Sequence, residues 1–168
     1  MMVGIDALEA AECGMCWAAA HSVHDDCTGE LRDLMSAELL TAYYHAFNRG
    51  DSAAMLDLLA EDVVHEPSQG AVRTGKAAFA EFLAHMDRCY KEQVIDPVFL
   101  TSPDGARAAA EFQLEGEYRR TDSDLPPARG QRYRLRVGAF FEIVDGRIAR
   151  VSNHYNLADW IRQVNEPA

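Results

Sequence analysis

The chain has 168 residues, of which 48% are apolar and 26% charged, and its formal net charge is −11. That is enough chain for one globular domain with a sizeable core, and the acidity excludes a protein that tracks a phosphate backbone, so no nucleic acid partner is expected. No apolar run reaches the length of a membrane span, and the start of the chain lacks the basic flank and unbroken apolar stretch of a secretion signal; no membrane partner and a cytoplasmic location are expected.

Residues 1–34 stand apart, with Cys13, Cys16 and Cys27 and seven acids against the single base Arg32. The run Cys13-Gly14-Met15-Cys16, followed by His21, His24 and Cys27, offers soft ligands, but the Cys-to-His spacing is too short for the common zinc-finger loops, and no metal is expected. With Cys89 inside a helical pattern, the four cysteines make no disulfide framework. Met35-Ser36 places a good N-cap directly before the first periodic helix, so the domain is expected over 35–168. Residues 1–34 are read as an extension, either disordered or upstream of a true start at Met35.

From Ser36, the residues Leu39, Leu40, Tyr43, Tyr44 and Phe47 follow helical spacing, and Asn48-Arg49-Gly50 supplies the stop. Asp51 caps a second, short helix predicted through Leu59. A short strand, Val63 to Glu66, is broken by Pro67. Gly75 opens a third helix with Phe79, Phe82, Leu83, Met86 and Tyr90 on one face, which leaves His45 and His85 on polar faces. The chain is extended from about Val94 to Leu100 and turns at Ser102-Pro103-Asp104-Gly105. A strand with Ala106, Ala108, Ala110, Phe112, Leu114 and Tyr118 on one side then follows.

After the proline-containing linker 121–130, Tyr133 to Ile143 alternates again, with apolar residues at odd positions and Arg132, Arg134, Arg136 and Glu142 at even ones. The arginines read as a solvated face that protects the sheet. A three-residue turn Val144-Asp145-Gly146, with Gly146 in the left-handed region, aligns the returning strand so that Val151, Asn153 and Tyr155 join the apolar side. An amide placed there needs an internal partner or a ligand. The same turn puts Ile148 opposite Glu142 and near Phe140 on the outer face, a pair that reads as a partner surface. Leu157 to Val164 is a closing helix. Helices first and a long meander afterwards give an α+β fold, with the helices on one face of a curved sheet.

This order of elements resembles the nuclear transport factor 2-like superfamily, in particular its ketosteroid isomerase-related and SnoaL-like group. The resemblance rests on Tyr43-Tyr44-His45-Ala46-Phe47-Asn48-Arg49-Gly50-Asp51, on His65-Glu66-Pro67, on Gly75-Lys76 before a helix and on Asp145-Gly146-Arg147-Ile148, and it covers Met35 to about Val164. It implies a conical barrel in which a curved antiparallel sheet wraps three N-terminal helices around an apolar cavity. It also implies a homodimer through the sheet and cofactor-free chemistry on a small apolar ligand, although the superfamily includes non-catalytic members and fold alone does not choose. Tyr43 matches the oxyanion-binding tyrosine of the isomerases. Glu66-Pro67 matches the catalytic carboxylate if one residue is deleted between Glu61 and His65; without that gap His65 lies on the relevant face. The position of the second oxyanion acid is Ala139, so part of the steroid isomerase site is missing.

Two functions that use the cavity stay open, beside a third reading as a dimeric interaction module with a filled barrel. One is an acid-base enzyme of the isomerase, cyclase or dehydratase kind acting on a carbonyl or hydroxyl compound, with Glu66 or His65 as base and Tyr43 as donor. The other is a binding domain that uses the same cavity without catalysis. In either case Asn153, Tyr155, Phe79, Phe112 and Phe141 are the expected substrate-binding and wall residues, and no three-ligand metal constellation is expected within the domain.

Overall fold

The computed structural model describes residues 34–166, so the expectations for Cys13, Cys16, His21, His24 and Cys27 lie outside the described residues. Helix α1 covers 34–49 and buries Leu40, Tyr43, Tyr44 and Ala46, one stripe at helical spacing. Ser36 is not its N-cap, because 34 and 35 are already helical. Its hydroxyl instead donates across the fold to the Gly105 carbonyl at 2.8 Å. The helix stops at Gly50, whose φ of 66° lets its own N–H and that of Asp51 turn back onto the carbonyls of Phe47 and Ala46.

Asp51 caps α2 (Ser52–Asp57) by accepting the Ala54 N–H at 3.0 Å, as its position before the helix predicts. The helix ends before Leu59, which opens strand β1 (Leu59–Glu66), a longer strand than the predicted one. After the two-residue β2 (Arg73–Thr74), α3 (Lys76–Cys89) buries Phe79, Leu83 and Cys89. Strand β3 (Tyr90–Thr101) follows without a break and kinks at Asp96, where φ is 49°. Strands β4 (Arg107–Tyr118), β5 (Gln131–Val144) and β6 (Arg147–Tyr155) complete the meander, and α4 (Leu157–Asn165) closes the chain.

The six strands form one open sheet in the order β2-β1-β6-β5-β4-β3. Every pair is antiparallel except β1 with β6, so the sheet is mixed where an all-antiparallel one was expected. The long-range return of β6 to β1 is invisible to local periodicity. The sheet's inner face carries Phe112, Leu135, Val137, Phe141 and Val151 against the helices. Its outer face carries charge: Arg134 pairs with Glu115 at 2.8 Å, Arg136 with Glu111 at 2.6 Å, and Arg150 with both Glu142 and Glu66. Cross-strand pairs of this kind protect the face and add little stability.

The β5–β6 connection differs from the predicted three-residue turn. Val144 pairs with Arg147 across Asp145 and Gly146, both at positive φ, which makes a two-residue turn of the type favoured in hairpins. A bulge at Ala149 of β6, opposite the step from Glu142 to Ile143, then absorbs one residue, so Phe141 faces Val151 and Ala139 faces Asn153, and the odd-with-odd alignment survives. Ile148 is the exception. It pairs with Ile143, donates its N–H to the Leu58 carbonyl at 3.0 Å and is fully buried, so it takes no part in an outer surface.

Candidate active site

Between the inner face of the sheet and helices α1 and α3 lies a cavity of about 810 Å³. Apolar walls include Phe79, Phe82, Phe112 and Leu135, and the polar groups that reach it come from strands β1, β2, β3, β5 and β6, from helices α1, α2 and α3 and from loops. That is the composition of a small-molecule site: mostly apolar, with a few placed polar atoms.

His65 and Glu66 are strand neighbours, and only one of them can face inward. His65 does: it is 1% exposed, lines the cavity and lies against the rings of Phe79 and Phe82, at centroid distances of 4.7 and 4.4 Å. Burial, reinforced by the Arg73 guanidinium, pushes its pKa down to about 4, so the imidazole is neutral at physiological pH. Its Nε2 lies 3.4 Å from Asn153 Nδ2, while its Nδ1 is buried with no partner among the described residues. With the amide so oriented, Nε2 accepts and the unpartnered Nδ1 carries the proton. Glu66 takes the outer side of β1, where its carboxylate meets Arg150 at 3.1 Å. It does not line the cavity, and the expectation of a base at Glu66 is corrected by the pleat of the strand.

Tyr43 projects from α1 into the cavity, edge-on to Tyr44 and Phe141. Burial pushes its phenol pKa up, so it remains a proton donor across the physiological range. Asn153 and Tyr155 line the cavity from β6, and Phe79 and Phe112 are walls. Phe141 is not a wall: it is 1% exposed and sits behind Tyr43 and Tyr44 as core.

Two polar groups of the cavity were not expected. Glu92 reaches it from β3 and accepts a hydrogen bond of 2.5 Å from Tyr133 Oη. Burial raises its pKa to about 7, with the Tyr133 hydroxyl pulling the other way. Gly116, opposite Glu92 across the sheet, makes room for the Tyr133 ring, because a Cβ there would overlap it. The signal for Glu92 was a single acid in the inward alternation Tyr90, Glu92, Val94. Tyr90 also completes the helical stripe of α3, so periodicity places the start of the extended segment at Val94 and hides it. The second group is Asp122, in the β4–β5 loop, which holds His85 Nε2 at 2.9 Å and accepts from Tyr90 Oη at 2.9 Å. No local pattern marks a loop aspartate as a partner of a helix residue 37 positions earlier.

An open α+β cone with polar groups converging in an apolar hollow is the architecture of the nuclear transport factor 2-like proteins. The chain belongs to the SnoaL-like domain family, whose model matches residues 40–151. Among solved structures it is similar to a candidate polyketide cyclase from Xanthomonas campestris pv. campestris, at 49% identity over 80% of this chain and 99% of that one, with a TM-score of 0.78. Another candidate polyketide cyclase, from Pseudomonas putida KT2440, is 53% identical over 77% of this chain and 97% of that one, with a TM-score of 0.76. An LEH-like epoxide hydrolase of M. tuberculosis, at 18% identity over 79% of this chain and 86% of that one, shares the fold with a TM-score of 0.64. None of the curated proteins matches the chain.

Proposed function

We propose that this protein is an acid-base enzyme of the cyclase, isomerase or dehydratase kind, moving a proton on a small, largely apolar carbonyl or hydroxyl compound held in the cavity, with no cofactor needed for the proton step. The observation that carries this is Glu92: a carboxyl inside an apolar hollow with its pKa near 7, where a group can both take and return a proton at physiological pH. His65 is a weak base with its pKa near 4. Its role is instead that of a neutral donor and positioning group, through the buried Nδ1. Tyr43 is the second donor to a developing oxyanion, and Asn153 holds the imidazole tautomer. The similarity to candidate polyketide cyclases favours a cyclic or cyclising ketone as substrate.

The test is turnover of a panel of steroid-like and polyketide-like ketones by wild type, Glu92→Gln, Tyr43→Phe and His65→Gln. We expect Glu92→Gln to lower the rate by about 10²–10⁴-fold, with smaller losses for the two donors. Turnover that none of the three changes would sink the mechanism. The alternative is a non-catalytic binder, favoured by the same unpartnered Nδ1, which equally suits a ligand that is only held. Saturable binding of panel members that are never converted would decide for it.

A further inference from the structure

At the α3 end of the cavity, three side chains with metal-binding atoms come together: His85, Cys89 and Asp122. We infer that they form a site for one Zn²⁺ ion, with a fourth position open to the cavity. The inference is independent of the proton-transfer function proposed above.

His85 and Cys89 are four residues apart on α3, so both point from the same side of the helix, one turn from each other. Asp122 arrives from the loop after β4, and that loop is fastened to the helix end. The Cys89 carbonyl accepts the N–H groups of Arg119 at 2.8 Å and Arg120 at 3.2 Å, and the Asp122 N–H donates to Tyr118 Oη at 2.7 Å. The ligand atoms are therefore held on two segments that cannot easily separate. His85 Nε2 lies 2.9 Å from Asp122 Oδ1 and 3.9 Å from Cys89 Sγ, and all three atoms fall within 4.8 Å of one another. Ligand-to-metal distances of about 2.0–2.3 Å in a tetrahedron require ligand atoms about 3.3–3.8 Å apart, so the ion is seated when His85 and Asp122 open by a few tenths of an ångström and the thiol closes in.

The donor set of imidazole, thiolate and carboxylate suits a borderline ion such as Zn²⁺ and not the all-oxygen preference of Mg²⁺ or Ca²⁺. Tyr90 Oη holds Asp122 Oδ2 at 2.9 Å, which orients the carboxylate and leaves Oδ1 for the metal, the outer support typical of such sites. His85 and Asp122 line the cavity, whereas Cys89 is buried behind them, so three protein ligands would leave the remaining position facing a bound molecule or water. Binding costs the thiol its proton, which passes to solvent, and the imidazole gives up its Nε2 proton and takes the Nδ1–H tautomer, so that the His85–Asp122 hydrogen bond is replaced by two bonds to the ion.

The test uses the full chain carrying Cys13→Ser, Cys16→Ser and Cys27→Ser, so that Cys89 is the one thiol, and titrates it with Co²⁺ after chelation. We expect one equivalent to produce a thiolate-to-cobalt charge-transfer band and the visible bands of a tetrahedral ion, both displaced by Zn²⁺. Adding Cys89→Ser should abolish the charge-transfer band. Tyr90→Phe, which only frees the Asp122 carboxylate, should weaken Co²⁺ affinity by about tenfold. No charge-transfer band in the chain with Cys89 alone, or a band of unchanged affinity in both His85→Gln and Asp122→Asn, would overturn the site. Circular dichroism of each variant separates loss of the ligand from loss of the fold.

Discussion

Glu92 is half-buried at the cavity and His65 fully buried, and loss of water acts on the two ionisable groups in opposite senses. Glu92 keeps its proton to about pH 7 in the fold, against 4.5 as its ordinary value, so between those pH values the folded chain holds more protons than the unfolded one and stability falls as pH rises. His65 gives up its proton near pH 4 in the fold, against 6.5, so there the unfolded chain holds more protons and stability rises with pH from about 4 to 6.5. The two slopes oppose each other over most of that range. In denaturant unfolding, Glu92→Gln should therefore expose a rising stability between pH 4.5 and 6.5, and His65→Gln a falling one. At pH 8 Glu92→Gln should be the more stable protein by on the order of 1–3 kcal/mol while losing turnover, since a neutral amide still accepts from Tyr133 without a buried charge. Identical pH slopes in wild type and both variants would contradict the burial of these groups.

The placement of Glu92 depends on how β3 is held. Asn48, at the end of α1, donates to the Val94 carbonyl at 2.9 Å and accepts the Val94 N–H at 2.8 Å, acting as a short substitute strand along this edge. Asn48→Ala removes both bonds and should cost about 1–3 kcal/mol in denaturant unfolding, with hydrogen exchange fastest around Val94. From the other side, Gly116→Ala places a methyl where the Tyr133 ring lies. That ring is fixed by Glu92 and packs on Trp160 at 5.9 Å, so the substitution should destabilise by about 1–3 kcal/mol and weaken the Tyr133 hydrogen bond that holds the Glu92 pKa down against burial. The acid limb of the pH–rate profile should then move above 7; a limb unmoved in Gly116→Ala would show that Tyr133 does not govern the carboxyl.

For the molecule as a whole, the outer face of the sheet joins the charged ladder to an apolar row. Leu100, Ala109 and Phe140 align across β3, β4 and β5, and Leu100 and Phe140 are 65% and 51% exposed. Val98, at 58%, adds to the row. We propose that this row pairs two copies of the chain, with Ile148 removed from the expected surface and Phe140 kept. Sedimentation should show a dimer at micromolar concentration that Phe140→Glu converts to monomer with the cavity chemistry unchanged; a wild-type monomer at that concentration would refute the pairing.

What the amino-acid order determined alone is the succession of helices and long strands and which side of β4, β5 and β6 is apolar, because period and turn chemistry are local. The inward alternation of β4 and β5, the Asp51 cap and the helical stripe through Tyr43 all stand as read. The family could be recognised for the same reason, since its motifs are short and their order is linear. Tertiary structure alone decided that β6 runs parallel to β1, which of His65 and Glu66 turns inward, and that Glu92 meets Tyr133 and Asp122 meets His85. These are encounters between residues from 37 to 89 positions apart, or a choice of pleat phase that two adjacent apolar residues, Val63 and Val64, leave undefined. Periodicity reports what a residue faces within its own element, and only packing fixes what stands opposite it.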